Sequence, residues 1–243
     1  QYLDPSIDAF DVVIFDEASQ IPPWDAVGAI ARGRQVIIVG DTKQLPPTSF
    51  FDRGSRDDDE ELYDEHDIED LESILNEALA SGIKELSLKW HYRSRHESLI
   101  AFSNHKYYDG QLRTFPSAAH TVPDLGVELR PVPNGYYDRG SSRTNRAEAE
   151  AVVAEVVKIL DQHRGEKSVG IVTFSQAQQL LIQDLVDQLL QERKDLVDRF
   201  DSNSDEHVFI KNLENVQGDE RDVMLFSICY GPDRTGKVTM NFG

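Results

Sequence analysis

Two adjacent carboxylates, Asp16 and Glu17, close the apolar run at residues 10–15, FDVVIF. An acid at the carboxyl end of a buried parallel strand sits where α/β sheets bind their ligands. In nucleotide hydrolases the first such acid holds Mg²⁺ and the second orients and deprotonates the attacking water. Strands also end in Asp for loop or capping reasons, so the pair alone leaves both readings open. A second polar segment, GDTKQLPPT at 40–48, closes the next apolar run. Gln44 there can hydrogen-bond both a γ-phosphate oxygen and a water; the other reading is a rigid turn made by two prolines. A third segment, HYRSR at 91–95, carries Arg93 and Arg95. Arginine forks match phosphate oxygens, and an arginine from a second domain can stabilise charge in phosphoryl transfer. A solvent-facing helix start is the alternative there, with Arg95 the bystander. The fourth, ENVQGDERD at 214–222, has Gly218 for a tight turn and places Gln217 and Glu220 to meet a ribose; alone it also fits a polar hairpin.

The elements that must position these groups follow from apolar periodicity. FDVVIFD and QVIIVGD read as strands buried on both faces, with a short helix between them that starts at prolines and stops near Gly33. Strand, helix and strand with short connections imply a parallel sheet. Ile68, Leu71, Ile74, Leu75 and Leu79 recur at helical spacing, with Gly82 as the stop. ELSLKW (85–90) reads as a strand, and Ser94 and Glu97 as a capping box opening a helix with Leu99, Ile100 and Phe102 inward and Gly110 beyond its end. Residues 113–143 read as loop and short strands. Asn145 to Gln162 is a helix with Ala149, Val152, Val153, Val156, Val157 and Leu160 in one stripe. SVGIVTF is the next buried strand, and Ser175 caps a helix bearing Leu180, Leu181, Leu185, Leu189 and Leu190. EHVFIKNL and DVMLFSICY complete the strands. Two α/β units joined near residues 80–88 result.

Composition bounds the rest. The 243 residues, 39% hydrophobic and 28% charged, are enough for a packed core and exclude global disorder. No apolar run is long enough to span a membrane. One cysteine, Cys229, excludes a disulfide framework and a cysteine-built zinc site, and fits a reducing, intracellular (cytoplasmic) setting. The net charge of −19 argues at first against a nucleic-acid partner. Yet residues 57–83 hold twelve Asp or Glu and no Lys or Arg, which leaves −7 elsewhere. That stretch reads as a solvated loop and helix face, or as an acidic insert that binds a protein partner. Lys89, Arg93, Arg95 and Lys106 lie around the third segment, so a basic face is local.

In this order the four segments resemble motifs II, III, IV and V of the superfamily 1 helicases, nearest the branch with RNA-surveillance and lagging-strand-processing helicases. GIVTFSQAQ (170–178) is similar to the segment that branch places between IV and V. The resemblance implies a RecA-like P-loop NTPase fold, α/β with a parallel sheet flanked by helices. Residues 1–85 would be the last part of a first RecA-like domain, with the acidic insert at about 57–83, and 86–243 most of a second. It also implies ATP and Mg²⁺ as cofactors. Asp16 would bind Mg²⁺, Glu17 act as catalytic base, Gln44 sense the γ-phosphate and Arg93 contact it from the second RecA-like domain. Tyr92 would pack near the nucleotide, and Glu220 would meet the ribose, with Gln217 and Gly218 coupling nucleotide state to nucleic acid. Thr173, Ser175 and Gln176 would contact a single-strand backbone. Glu214 and Asn215 depart from the commoner form of motif V, which leaves that pair without a role.

A phosphate-binding loop, G-x-x-x-x-G-K-[ST], is nearly matched at 231–237, GPDRTGK, but Val238 stands where the hydroxyl belongs, so an ordinary loop is expected. The expectation is therefore a fragment spanning motifs II to V, lacking that loop and motif VI, inactive alone and dependent on the rest of its parent chain. Its first sheet would be incomplete, with apolar surface exposed. In the parent, ATP hydrolysis would drive movement on single-stranded nucleic acid, DNA favoured over RNA. The rival is a non-catalytic RecA-like binding or interaction module; a nuclease fares worse, for want of a further carboxylate set.

Overall fold

Runs of β-branched residues alternating with amphipathic stretches produce an α/β chain with parallel sheets flanked by helices. The structure is a computed structural model that describes residues 9–44, 73–115, 125–163, 166–204 and 206–238. The chain divides into two compact units, Gln1–Glu128 and Leu129–Gly243, so residues 86–128 fall with the first unit.

In the first unit, strand β1 (Phe10–Phe15) leads through helix α1 (Pro23–Ile30) to strand β2 (Gly33–Ile38). The strands pair in parallel, from Phe10 opposite Gly33 to Phe15 opposite Ile38. Pro23 starts α1, where its missing N–H costs nothing. A Cβ on Gly33 would meet the Val13 side chain at 2.7 Å, so glycine is required at that approach. Helix α2 (Ile74–Ala80) is capped by the Ser73 hydroxyl, which accepts from the Asn76 N–H. It ends in a Schellman turn: Gly82 at φ +74° donates to the Leu79 carbonyl and Ile83 to that of Ala78. Ala18, Ala26 and Ile74 form the core here, with Phe15, Ile30, Ile38 and Leu75 packed on it.

Four expectations for this unit need correction. Burial of β1 and β2 on both faces is not seen: Val12, Ile14 and Ile37 are exposed, Ile14 by 64%. Among the described residues these strands form a two-stranded sheet, and the core lies on the Phe15 and Ile38 side. ELSLKW is not a six-residue strand; only strand β3 (Trp90–His91) forms, paired in parallel to β4 (Arg113–Thr114) past helix α3 (Ser98–Tyr107). The Lys89 carbonyl accepts the Arg113 N–H at 2.7 Å, but residues 83–88 join no ladder among the described residues, and unpaired backbone stays out of a strand. The capping box does not form. The Ser94 hydroxyl pairs with His91 Nε2 at 2.6 Å instead, and α3 begins at Ser98 after Glu97, which makes no side-chain cap. No α3 residue is buried, and Leu99 and Phe102 face outward. Gly110 does follow the helix, at φ +69°. Ile68, Leu71 and residues 57–72 of the acidic stretch lie outside the described residues.

The second unit holds helix α4 (Arg146–Gln162), strand β5 (Val169–Thr173), helix α5 (Gln176–Glu192), short helix α6 (Val197–Phe200), and strands β6 (Phe209–Asn212) and β7 (Val223–Ser227). The sheet order is β6-β5-β7, all parallel, and all five residues of β5 are buried. The α4 stripe (Ala149, Val153, Val156, Ile159, Leu160) packs on Val169, Ile171, Ile182 and Val186. In α5 the buried line is Gln178, Ile182 and Val186, so Leu180 is a correction: it is 61% exposed, one face away. Because β5 separates β6 from β7, residues 213–222 cross the sheet between parallel strands, which excludes the hairpin reading. The loop at 231–237 is an ordinary one. Asp233 Oδ1 folds it by accepting from the Thr235 and Lys237 N–H groups and the Thr235 hydroxyl, bonds that hold its carboxyl below the usual range.

Candidate nucleotide site

Asp16 follows β1 directly, and its Oδ1 accepts the Glu17 N–H at 3.0 Å. Glu17 then takes left-handed backbone, φ 51° and ψ 40°, to turn the chain from strand into the 3₁₀ turn Ala18–Gln20. A non-glycine residue there costs on the order of 1 kcal/mol and persists only where its surroundings hold it. They do. The Val39 N–H donates to the Phe15 carbonyl at 2.8 Å, and the Ala18 N–H donates to the Val39 carbonyl at 2.9 Å. Gly40 lies flat against that turn: a Cβ on it would stand 3.0 Å from Ser19 N, 3.1 Å from Ala18 N and 3.1 Å from Leu75 Cδ2. The two polar strand ends are thereby joined into one surface, with the side chains of Asp16, Glu17 and Gln44 exposed on it.

Asp41 organises the second strand end. Its Oδ1 accepts the Lys43 N–H at 2.9 Å, and its carbonyl accepts the Gln44 N–H at 3.2 Å, closing a turn that carries Gln44. Its Oδ2 accepts from the Tyr108 hydroxyl at 2.5 Å. Burial, and then that bond to a carboxylate, push the Tyr108 phenol up to about 12. Leu45 to Thr48, the rest of the third motif, lie outside the described residues.

Whether Mg²⁺ and a nucleotide suit this surface can be judged from its donors. Two adjacent exposed carboxylates stand at the carboxyl ends of parallel strands. Beside them the Ser19 hydroxyl is 5% exposed and has no hydrogen-bond partner among the described residues. Hard oxygen donors of this kind suit Mg²⁺, which keeps several waters and is commonly shared between one or two carboxylates and substrate phosphates. The described residues contain no cluster of three or more metal-ligating side chains, and a shared Mg²⁺ needs none. The residues fit.

The other predicted residues are dispersed. Tyr92, 84% exposed, and Arg93 lie on the irregular segment after β3, in the same unit as Asp16. In the second unit, Gln217, Gly218 and Glu220 follow a 3₁₀ turn at Leu213–Asn215, and Gly218 has φ +85°. Ser175 caps α5 by accepting from the Gln178 N–H at 3.2 Å, and Gln176 is exposed in the first turn. Thr173 is fully buried, its hydroxyl donating to the Ser175 carbonyl at 3.0 Å.

Two arrangements had no signal in the spacing. One is Tyr108 on Asp41, a pair 67 residues apart. The other surrounds Gln178, fully buried at the start of α5. Its Oε1 accepts the Asn145 N–H, and its Nε2 donates to the Asn145 carbonyl and the Ser227 hydroxyl. That hydroxyl donates on to Glu148 Oε1 at 2.7 Å, which also accepts the Cys229 N–H. The network ties the starts of α4 and α5 to the end of β7. Burial pushes the Cys229 thiol up to about 11, which keeps it an inert packing residue.

Residues 71–238 match the AAA domain family, and residues 3–51 match a second family also described as AAA domain. The chain is similar to an uncharacterised ATP-dependent helicase of Mycoplasma pneumoniae, 34% identical over 232 residues, 91% of this chain and 20% of that protein. It is similar to probable helicase senataxin of Homo sapiens, 25% identical over 245 residues, 94% of this chain and 8% of that protein. It is similar to DNA-binding protein SMUBP-2 of Mesocricetus auratus, 25% identical over 253 residues, 94% of this chain and 22% of that protein. It therefore spans about a fifth or less of the length of these curated relatives. With most of its residues matched and four motif segments in helicase order, the chain belongs to the AAA domain family, as a segment of superfamily 1 helicase type.

Proposed function

We propose that this chain is the part of an ATP-dependent helicase or translocase in which ATP hydrolysis is coupled to movement on single-stranded nucleic acid. The observation that carries the reading is the joined pair of strand ends, with Asp16 and Glu17 on one and the Gln44 turn on the other, locked by Gly40 and the Ala18–Val39 hydrogen bond. Mg²⁺-ATP, when bound, supplies the phosphoryl group that is transferred to water. Asp16 would ligate the ion. Glu17 would accept the proton of the attacking water, its strained backbone fixing where the carboxylate starts. Gln44 would hold the γ-phosphate and that water in line, and Arg93 would oppose the charge that develops on the phosphoryl oxygens. Tyr92 would pack near the nucleotide and Glu220 meet its ribose. Gln217 and Gly218 would relay nucleotide state to a strand held by Ser175 and Gln176. For Thr173, whose hydroxyl is buried, a strand contact would require that bond to Ser175 to open.

The strand is held through its backbone and stacked bases, so sequence matters little. DNA is favoured over RNA, a choice supported by a relative that carries DNA-binding in its name. The test is ATP turnover by the protein carrying this chain, with single-stranded DNA, single-stranded RNA or neither, alongside Glu17→Gln. The expected outcome is strand-stimulated turnover that falls about 10²–10⁴-fold in the variant while nucleotide binding persists. Turnover absent from the wild type would favour a non-catalytic binding module, and undiminished turnover in the variant would remove Glu17 as the base.

A further inference from the structure

The Gln44 turn begins where its own strand ends. Gly40 is packed on Ala18 and Ser19, but beyond it the chain runs Asp41-Thr42-Lys43-Gln44 with two bonds inside the turn, Lys43 N–H to Asp41 Oδ1 and Gln44 N–H to the Asp41 carbonyl. The first depends on how the Asp41 carboxylate is oriented, and the second closes the same turn through the backbone. The second oxygen of that carboxylate is taken by the Tyr108 hydroxyl at 2.5 Å, a charge-assisted bond among the stronger kinds. Tyr108 in turn stands on a braced platform. Asn104 clasps Leu112 through both amide atoms, Nδ2 to the Leu112 carbonyl at 3.0 Å and Oδ1 from its N–H at 3.0 Å. The Gly110 N–H donates to the Asn104 carbonyl and the Gln111 N–H to that of Tyr108. Asp109 and Gly110, both at positive φ, make the tight turn that this needs.

We propose that Tyr108 is a positioning residue for Gln44: by donating to one oxygen of Asp41 it aims the other at the Lys43 amide and so holds the turn that presents the glutamine. The inference rests on the role proposed for Gln44. It also ties that turn to the end of α3, the helix that follows the Arg93 segment.

The test begins without nucleotide, on the protein carrying this chain. Amide hydrogen exchange at Lys43 and Gln44 should quicken about tenfold in Tyr108→Phe, which keeps the ring and removes the bond. Asp41→Asn, with one acceptor oxygen for two donors, should do the same, and it decides the matter if Tyr108→Phe lowers the unfolding midpoint enough to confuse the first result. In turnover, Tyr108→Phe should lower kcat about tenfold with the KM for ATP within about twofold, because positioning acts on the transition state rather than on binding. In a Gln44→Ala background the same change should cost nothing further. Unchanged exchange in both variants, or a loss that simply adds to that of Gln44→Ala, overturns the proposal. If Gln44→Ala hydrolyses ATP at the wild-type rate, the catalytic role of Gln44 fails, and with it the claim that Tyr108 serves it. The exchange result then still decides whether Tyr108 holds the turn.

Discussion

Glu17 and Tyr108 show how much of the site depends on single side chains whose settings are tertiary. The left-handed backbone of Glu17 is a conformation that glycine adopts freely, so Glu17→Gly should fold without penalty while losing turnover. Equal loss of stability and activity in that variant would count against a site role for the strain. Tyr108 makes a prediction of its own. A phenol raised from 10 to about 12 binds its proton more tightly in the folded state, so its contribution to stability is complete below pH 10 and is lost as pH climbs toward 12. A spectroscopic tyrosine titration should show a late phase near pH 12 that Tyr108→Phe removes; persistence of that phase would mean another tyrosine carries it.

Elements impose the next constraints. β1 and β2 meet at Gly40, where two of the three nearest atoms to an added methyl are backbone nitrogens that cannot swing aside. Gly40→Ala should therefore destabilise the first unit by about 1–3 kcal/mol and reduce turnover further than stability alone explains. Thermal unfolding beside a rate measurement separates the two, and a neutral substitution would show that the strand ends can part. In the second unit, Gln178 serves three partners without solvent access. Gln178→Leu keeps its volume but strands the Asn145 N–H and takes one bond each from the Asn145 carbonyl and the Ser227 hydroxyl, which keep Ala149 and Glu148 as partners, for a cost of about 1–3 kcal/mol in chemical unfolding. A loss below about 1 kcal/mol would mean water replaces the amide. The helices α4 and α5 and strands β1, β2, β5, β6 and β7 were legible because each carries its own period and cap. β3 and α3 were not: of the apolar residues of ELSLKW, Leu86 and Leu88 pair with no strand among the described residues and Trp90 alone joins β4, and His91 captured the serine that a capping box would have used.

Across the whole molecule, the charge of −19 is concentrated in residues 57–83. Like charges repel a phosphate backbone over about a Debye length, near 10 Å at 0.1 M salt. Replacing the Asp and Glu of residues 57–70 by Asn and Gln should thus tighten binding of single-stranded DNA at low salt and change it little at high salt. An effect that persists at high salt would instead point to a direct contact of the stretch with the strand. Among the described residues no helix is long and apolar enough to cross a membrane.

The order of strands and helices, the four motif segments and the family they belong to were determined by the amino-acid sequence, since periodicity, caps and local spacing are properties of neighbours along the chain. Tertiary structure decided the rest. Which faces are covered depends on what packs there: β5 lies between two partners, while among the described residues β1 and β2 pair with each other alone and leave Ile14 exposed. The bond that orients Asp41 joins residues 67 apart, and the one that links Gln178 to Ser227 spans 49. No local pattern encodes such pairs, because the hydrogen bonds form only after the packing of separate elements has brought the two chemistries within reach.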